Sequence, residues 1–325
     1  MTTRNSLRAA AVAAALAAGI TGAAAQTYPT KPVHIICGFS AGTTADISAR
    51  VVASKMSDIL GQRFVVENRV GAGSSIAAAA VATAPKDGYT LYVGSGANLI
   101  NAAMKPNLSF DFVKDFAPVT LLTSTPTVLV VTPATGVKSV KELIAKAKAR
   151  PNELLFGSAG VGSSTHLALE LFKSLTGVKI THVPYSGSPP VITDMLGGRL
   201  NGSFAPASGV IAHIKDGKLI ALAVTDAKRS AAFPDLPTMI EAGVPKFESA
   251  LWFGFVAPAG TPQPIIDKLS QAANAALKSA DVQKALHAQM VATIGGTPAQ
   301  FRDYIAAEAK RWNGVVTSAG LKEKK

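Results

Sequence analysis

Ile36-Cys37-Gly38-Phe39-Ser40-Ala41-Gly42-Thr43-Thr44-Ala45-Asp46-Ile47 joins an apolar strand to an amphipathic helix through a loop of small residues. Its centre, Gly38-Phe39-Ser40-Ala41-Gly42, spells G-x-S-x-G, the nucleophile elbow of a serine hydrolase with Ser40 as nucleophile. At a helix N-terminus the same loop is also a set of backbone N–H groups suited to an anion. The elbow reading meets an obstacle in its position. Few residues of a mature chain precede Ser40, whereas an elbow follows earlier strands and an oxyanion-hole loop. His182, His213 and His287 come later without a recognisable late Asp…His arrangement.

A second loop supports the anion reading. Gly157-Ser158-Ala159-Gly160-Val161-Gly162-Ser163-Ser164 also follows a strand (154–156) and feeds a helix (165–175). In an open α/β sheet, ligands sit beyond the carboxyl ends of strands, at such turns. Each helix N-terminus carries about half a positive charge, so two facing across a cleft favour a carboxylate. Ser40, Thr43, Thr44, Ser163, Ser164 and Thr165 add hydroxyls, although any one of them is also an ordinary helix cap.

Around these loops strands and helices alternate, the pattern of mostly parallel sheets covered on both faces. Strands are expected at 33–37, 63–67, 89–93, 127–131, 154–156, 179–183, 200–204, 219–224 and 251–257, with helices at 47–60, 140–149, 165–175 and 191–196. Three further helices follow residue 257. Ser139-Val140-Lys141-Glu142 and Thr297-Pro298-Ala299-Gln300 are capping boxes, and Thr261-Pro262 sets a cap before Pro. The segments 127–131 and 251–257 bracket the middle unit. The chain is therefore read as crossing into a second lobe and returning, with a cleft between. The lobes are 26–125 with 252–325, and 126–251.

Composition bounds the rest. Arg4 and Arg8 before the apolar run 9–20, then Ala23-Ala24-Ala25, read as an export signal over residues 1–25. No Cys stands at the cleavage site to carry a lipid. Cys37 is the only cysteine, which excludes an internal disulfide and reads as a buried structural thiol. The formal charge of +12 is scattered, without the Lys/Arg stripe and interleaved aromatics of a nucleic-acid binder. Lys322-Glu323-Lys324-Lys325 reads as a solvated tail. No cofactor is expected. Gly71-Ala72-Gly73-Ser74-Ser75-Ile76 and Gly160-Val161-Gly162-Ser163-Ser164-Thr165 both lack the third glycine of a dinucleotide fingerprint, and no G-K-[S/T] occurs. His34, His166, His182, His213 and His287 show no metal-ligand spacing.

The chain resembles the Bug family of substrate-binding proteins that serve tripartite tricarboxylate transporters. The resemblance runs through almost all of the mature sequence. It is carried by Tyr28-Pro29-Thr30-Lys31-Pro32-Val33, Phe39-Ser40-Ala41-Gly42 with Asp46 and Ala49-Arg50, Glu67-Asn68-Arg69-Val70-Gly71-Ala72-Gly73 and Asp87-Gly88-Tyr89-Thr90-Leu91. Gly160-Val161-Gly162-Ser163 with His166-Leu167, Val183-Pro184-Tyr185, Leu196-Gly197-Gly198, Trp252-Phe253-Gly254 and Ala257-Pro258-Ala259-Gly260-Thr261-Pro262 complete it.

The resemblance implies a type II periplasmic-binding-protein-like fold, α/β, with two lobes joined by two hinge strands. It implies closure on a small organic acid without chemistry, in the periplasm, by a monomer that delivers to membrane subunits. The alternatives are a secreted serine hydrolase using Ser40 in Gly38–Gly42 and a subunit presenting its ligand to a membrane kinase. The implied ligand-binding residues are Phe39, Ser40, Ala41, Gly42, Thr43, Thr44, Ser95, Gly160, Gly162, Ser163, Ser164, Thr165, Tyr185 and Ala205. Asp46, Arg50 and His166 are read as supports of the loops, and the stretch 94–98 as a lining loop. Three positions depart from the family: Thr43 where paired glycines are common, Ser186 where Lys or Arg is common, and Ala205 where Asp is common. A β-branched Thr43 disfavours positive φ, so a different local backbone is expected there.

Overall fold

The computed structural model describes residues 28–105, 107–226, 228–229 and 233–323. The export signal read at 1–25 and the last two tail residues lie outside them. Strand β1 (Val33–Cys37) leads into helix α1 (Thr44–Leu60), then β2 (Phe64–Asn68), α2 (Ser75–Ala82), β3 (Thr90–Ser95), α3 (Gly96–Met104) and β4 (Phe116–Thr125). Past Pro126 come β5 (Thr127–Val131), α4 (Val140–Ala149), β6 (Leu155–Ser158), α5 (Ser164–Thr176), β7 (Thr181–Pro184), α6 (Ser188–Leu196), β8 (Gly202–Pro206), α7 (Ala207–Lys215) and β9 (Ile220–Val224). The chain returns through β10 (Leu251–Pro258), followed by α8 (Gln263–Lys278), α9 (Ala280–His287), β11 (Ala292–Thr293) and α10 (Pro298–Ser318).

The strands form two sheets, in the orders β11-β4-β10-β3-β1-β2 and β7-β6-β8-β5-β9. Strands β1, β2 and β3 are mutually parallel, as are β6, β7 and β8. Each sheet is nonetheless mixed, and the reversed strands include the ones that bring the chain in from the other lobe. Strand β5 is antiparallel to β8 and β9, and β10 is antiparallel to β3 and β4. The two crossings are tied together: Thr225 N donates to Thr127 O (2.9 Å), Ser249 N to Thr225 O (3.0 Å) and Thr225 Oγ1 to Ser249 O (2.6 Å).

Apolar faces at the expected periods build the cores. Val33, Ile35 and Cys37 point from β1 onto Ala49, Val52 and Met56 of α1. The other face of the first sheet joins α2, α3 and α10 in a cluster that continues through α5 to Phe156 and Phe204 of the second. A third cluster lies beneath α6 and α7. The Cys37 thiol is buried, which pushes its pKa up to about 11 and keeps it an unreactive thiol.

Two helices were not legible as such. The expected lining loop 94–98 is the end of β3 and the start of α3, because Asn98 Oδ1 accepts from Ser95 N (3.0 Å) and closes the first turn. Helix α7 follows Pro206 and contains Gly209, a poor helix former. A Cβ there would lie 2.9 Å from Ile192 Cδ1 of α6, so the glycine makes room for that side chain.

Candidate functional site

The C-terminal ends of the parallel strands place the candidate loops. In the first lobe the loop 38–43 is exposed from Ser40 to Thr43, while Phe39 is half-buried edge-on against Phe253. Gly42 takes φ 79°, and its N–H donates to Asp46 Oδ2 (2.9 Å). Asp46 Oδ1 accepts from Arg50 Nε (2.9 Å) and Asn68 Nδ2 (2.8 Å), and the Asn68 amide also donates to Phe39 O (2.9 Å). Burial alone would raise the Asp46 pKa. The bonds from Arg50, Asn68 and Gly42 N outweigh it and hold the carboxyl below its usual range. Thr43 is the N-cap with φ −74°, so the β-branched residue meets no strain there. Its hydroxyl donates back to Ser40 O (2.7 Å) and leaves the first N–H groups of α1 without a side-chain cap.

The second loop repeats this geometry with different side chains. Gly162 takes φ 77°, and its N–H donates to His166 Nδ1 (3.2 Å), four residues on, as Gly42 does to Asp46. The N-cap Ser163 (φ −73°, ψ 157°) matches Thr43 (φ −74°, ψ 162°). Ser163 N donates to Gly160 O (3.1 Å), as Thr43 N does to Ser40 O (3.3 Å). Ser163 Oγ caps His166 N (3.2 Å), and Thr165 Oγ1 accepts from Ala159 N (2.9 Å). Gly160 adopts φ 121° where a Cβ would press on Tyr185 O at 3.0 Å. The His166 ring stacks on His182 at 4.0 Å, and His182 Nε2 pairs with Ser158 Oγ (2.6 Å). Burial is the main cause that lowers both imidazoles to about 4, helped by Lys173. Both rings are therefore neutral at physiological pH, which keeps His166 Nδ1 an acceptor for the loop.

The remaining residues are placed less uniformly. Ser95 is buried inside the capping turn of α3. Tyr185 leaves the end of β7, but its hydroxyl donates to Asp194 Oδ2 (2.7 Å) on α6, which also holds Arg199. Ala205 stands at the same sheet edge but turns into the core beneath α6 and α7. Ser186 is exposed and Ser164 half-buried. Within the first lobe Asn101 Nδ2 donates to Gly73 O (2.9 Å), and its Oδ1 lies 3.1 Å from the position of a Cβ on Gly162 of the second loop. Asn68, Asn101, Ser158 and His182 carry contacts that the sequence reading did not assign. Only Asn68 had a signal, its place in Glu67-Asn68-Arg69.

Among the described residues no hydrogen bond joins Ser40 Oγ to an imidazole, and Ser40 is not among the residues held at positive φ. No group of three or more His, Cys, Asp or Glu is placed to hold a metal, and no helix is long and apolar enough to cross a membrane, again among the described residues.

Two α/β lobes with matched N-terminal loops define a ligand-binding protein of the two-lobed class. The chain belongs to the tripartite tricarboxylate transporter receptor family, whose sequence model matches residues 48–321. It is similar to protein BugT of Bordetella pertussis, with 40% identity over 302 residues, covering 92% of this chain and 93% of that one. Among solved structures it is similar to R. palustris Rpa4515 with adipate, at 39% identity and a TM-score of 0.82 over 90% of this chain and 98% of that one. It also resembles MatC (Rpa3494) of Rhodopseudomonas palustris with bound malate, at 32% identity and a TM-score of 0.80, over 89% and 100% of the two chains.

Proposed function

We propose that this protein is a periplasmic receptor that captures a small organic carboxylate between its lobes and delivers it to the membrane subunits of a tripartite tricarboxylate-type transporter, without chemistry of its own. The observation that carries the reading is the pair of loops with one backbone geometry, at the N-termini of α1 and α5. Each has a left-handed glycine whose N–H is tied down four residues on; α1 has no side-chain cap, and in α5 Ser163 caps His166 N. Relatives whose structures hold adipate and malate support a carboxylate as the ligand. Loop residues Ser40, Ala41, Gly42, Thr43 and Thr44 on one lobe, and Gly160, Gly162, Ser163, Ser164 and Thr165 on the other, would hold it, with Phe39 as an apolar wall. Lobe 1 comprises 26–125 with 252–325 and lobe 2 comprises 126–251, and closure between them strengthens each hydrogen bond by excluding water. The protein acts as a monomer after export by its N-terminal signal. Titration calorimetry against C4–C6 dicarboxylates, tricarboxylates and aromatic acids tests this. Binding of at least one acid is expected, and binding of a neutral solute with no acid would overturn it.

A further inference from the structure

Trp252 and Trp312 are the only tryptophans of the chain, and one carboxylate binds both. Glu308 of α10 is 5% exposed. Its Oε2 accepts from Trp252 Nε1 (3.0 Å) at the start of β10 and from Trp312 Nε1 (3.2 Å) on its own helix. Its Oε1 pairs with Arg311 Nη2 (2.5 Å), and the Arg311 guanidinium lies over the Trp312 ring at 5.0 Å. A buried carboxylate is costly unless paired and hydrogen-bonded, and these three donors meet that need. Together they fix where the guanidinium stands.

The other end of the guanidinium reaches the chain as it returns to the first sheet. Arg311 Nη1 donates to Glu248 O (2.9 Å). The next residue, Ser249, is the one bonded to Thr225 in both directions, where the two crossings are tied. The Glu248 carboxylate lies 3.8 Å from Arg311 with its side chain half exposed, so it adds little beside the carbonyl. A charge-assisted bond to a main-chain carbonyl holds the backbone itself.

Arg311 Nε is buried and has no acceptor among the described residues. A buried donor left unpaired costs free energy that a permanent brace has no use for. A contact that is remade when a hinge turns carries such a cost in one of its two states. The lobes meet in this structure. A Cβ on Gly162 of the second loop would fall 3.1 Å from Asn101 Oδ1 and 3.6 Å from Met104 Sδ of α3. Ser318, at the end of α10, meets Ser174 of α5 (Oγ to Oγ 3.4 Å). The helix that carries Arg311 thus touches both the crossing and the second lobe.

We infer that Arg311 is a positioning residue for ligand capture: held by Glu308, it latches the return crossing through Glu248 O and keeps the two matched loops at the spacing in which one ligand bridges them. The inference rests on the reading above of a receptor that closes on its ligand.

Arg311→Met keeps the side-chain stem and removes the latch. Hydrogen exchange on the ligand-free mature protein reads the crossing directly. The Thr225 and Ser249 amides are expected to exchange about tenfold faster in this variant, the worth of one charged hydrogen bond, while amides of β1 and β6 keep their parent rates. In calorimetry with adipate and malate, the acid that binds the parent is expected to bind about tenfold more weakly. Arg311→Lys can reach Glu308 or Glu248 O but not both, and is expected to fall between parent and Arg311→Met. Glu248→Gln leaves the carbonyl in place and is expected to match the parent in both measurements. Parent exchange rates at both amides in Arg311→Met, or a rise shared by β1 and β6, overturns the latch. Parent affinity in a variant whose crossing has loosened overturns it as well. Should Arg311→Met not fold, the same comparisons on Arg311→Lys decide. Failure of the parent to bind any acid overturns the carboxylate reading instead, and the exchange rates then decide the latch.

Discussion

Asp46 joins three pieces of chain through one carboxylate: the loop through Gly42 N, its own helix through Arg50, and β2 through Asn68, whose amide also donates to Phe39 O. The side chain is almost fully buried while Arg50 is half exposed, so the backbone and Asn68 bonds carry more of its value than the ion pair. Asp46→Ala leaves Gly42 N and Asn68 Nδ2 short of an acceptor and is expected to cost about 2–3 kcal/mol in urea unfolding. Because it frees the first loop, it should also weaken ligand binding in calorimetry. An unchanged affinity would show that the loop does not depend on this anchor. Thr43 is a milder case. Its φ suits any residue, so Thr43→Gly should lose about 0.5–1 kcal/mol through the freer unfolded chain. The anchoring positions Asp46, Arg50 and His166 stood out in the sequence only through the family resemblance, as members of its motifs. Ser158, His182 and Asn101 did not, because their partners lie 24 and 28 residues away and meet only through strand pairing or helix packing.

At the scale of elements, small residues at strand ends decide how closely the loops can lie. Gly38 closes β1 with no room for a side chain against Ser74, so the β1–α1 loop and the left-handed turn before α2 pack as one body. Gly38→Ala must push Ser74 off Tyr92 or move the loop, and it is expected to cost about 1–3 kcal/mol as overpacking. Thermal unfolding followed by circular dichroism reads this, and a melting temperature equal to the parent's would refute the contact. The strand β1 and the start of α5 were legible because apolar runs and Gly/Ser loops mark them sharply. Helix α3 was not, since Gly96 begins it and a buried Asn98 caps it in place of the usual exposed polar face. The reversed direction of β5 and β10 was equally hidden. Periodicity marks a strand but not its direction, which here follows from each strand carrying the chain across.

For the whole molecule, stability against pH reflects buried groups of the second lobe whose pKa values are shifted in opposite senses. His166 and His182 are kept neutral in the folded protein, with pKa values lowered to about 4, chiefly by burial. Unfolded histidine titrates near 6.5, so their contribution is complete above that value and is lost as pH falls toward 4. Asp226, next to the crossing at Thr225, has its pKa raised to about 6 by burial and by the nearby Glu248 carboxylate. Its contribution is complete below the unfolded carboxyl pKa and is lost as pH rises through 6. Between roughly pH 4.5 and 6 the unfolded chain therefore holds about two more protons at the histidines, and the folded chain one more at Asp226. The net difference of about one proton makes stability rise with pH by at most about 1.4 kcal/mol per unit, less to the extent that half-buried His182 stays hydrated. Asp226→Asn removes the opposing proton and should steepen the rise toward twice that slope, while His182→Asn should flatten it. Urea unfolding free energies at half-unit steps from pH 4.5 to 7 separate these cases. A flat profile in the parent, or a shallower one in Asp226→Asn, would mean that the imidazole stack beside the second loop and the carboxyl at the crossing do not titrate as their burial requires.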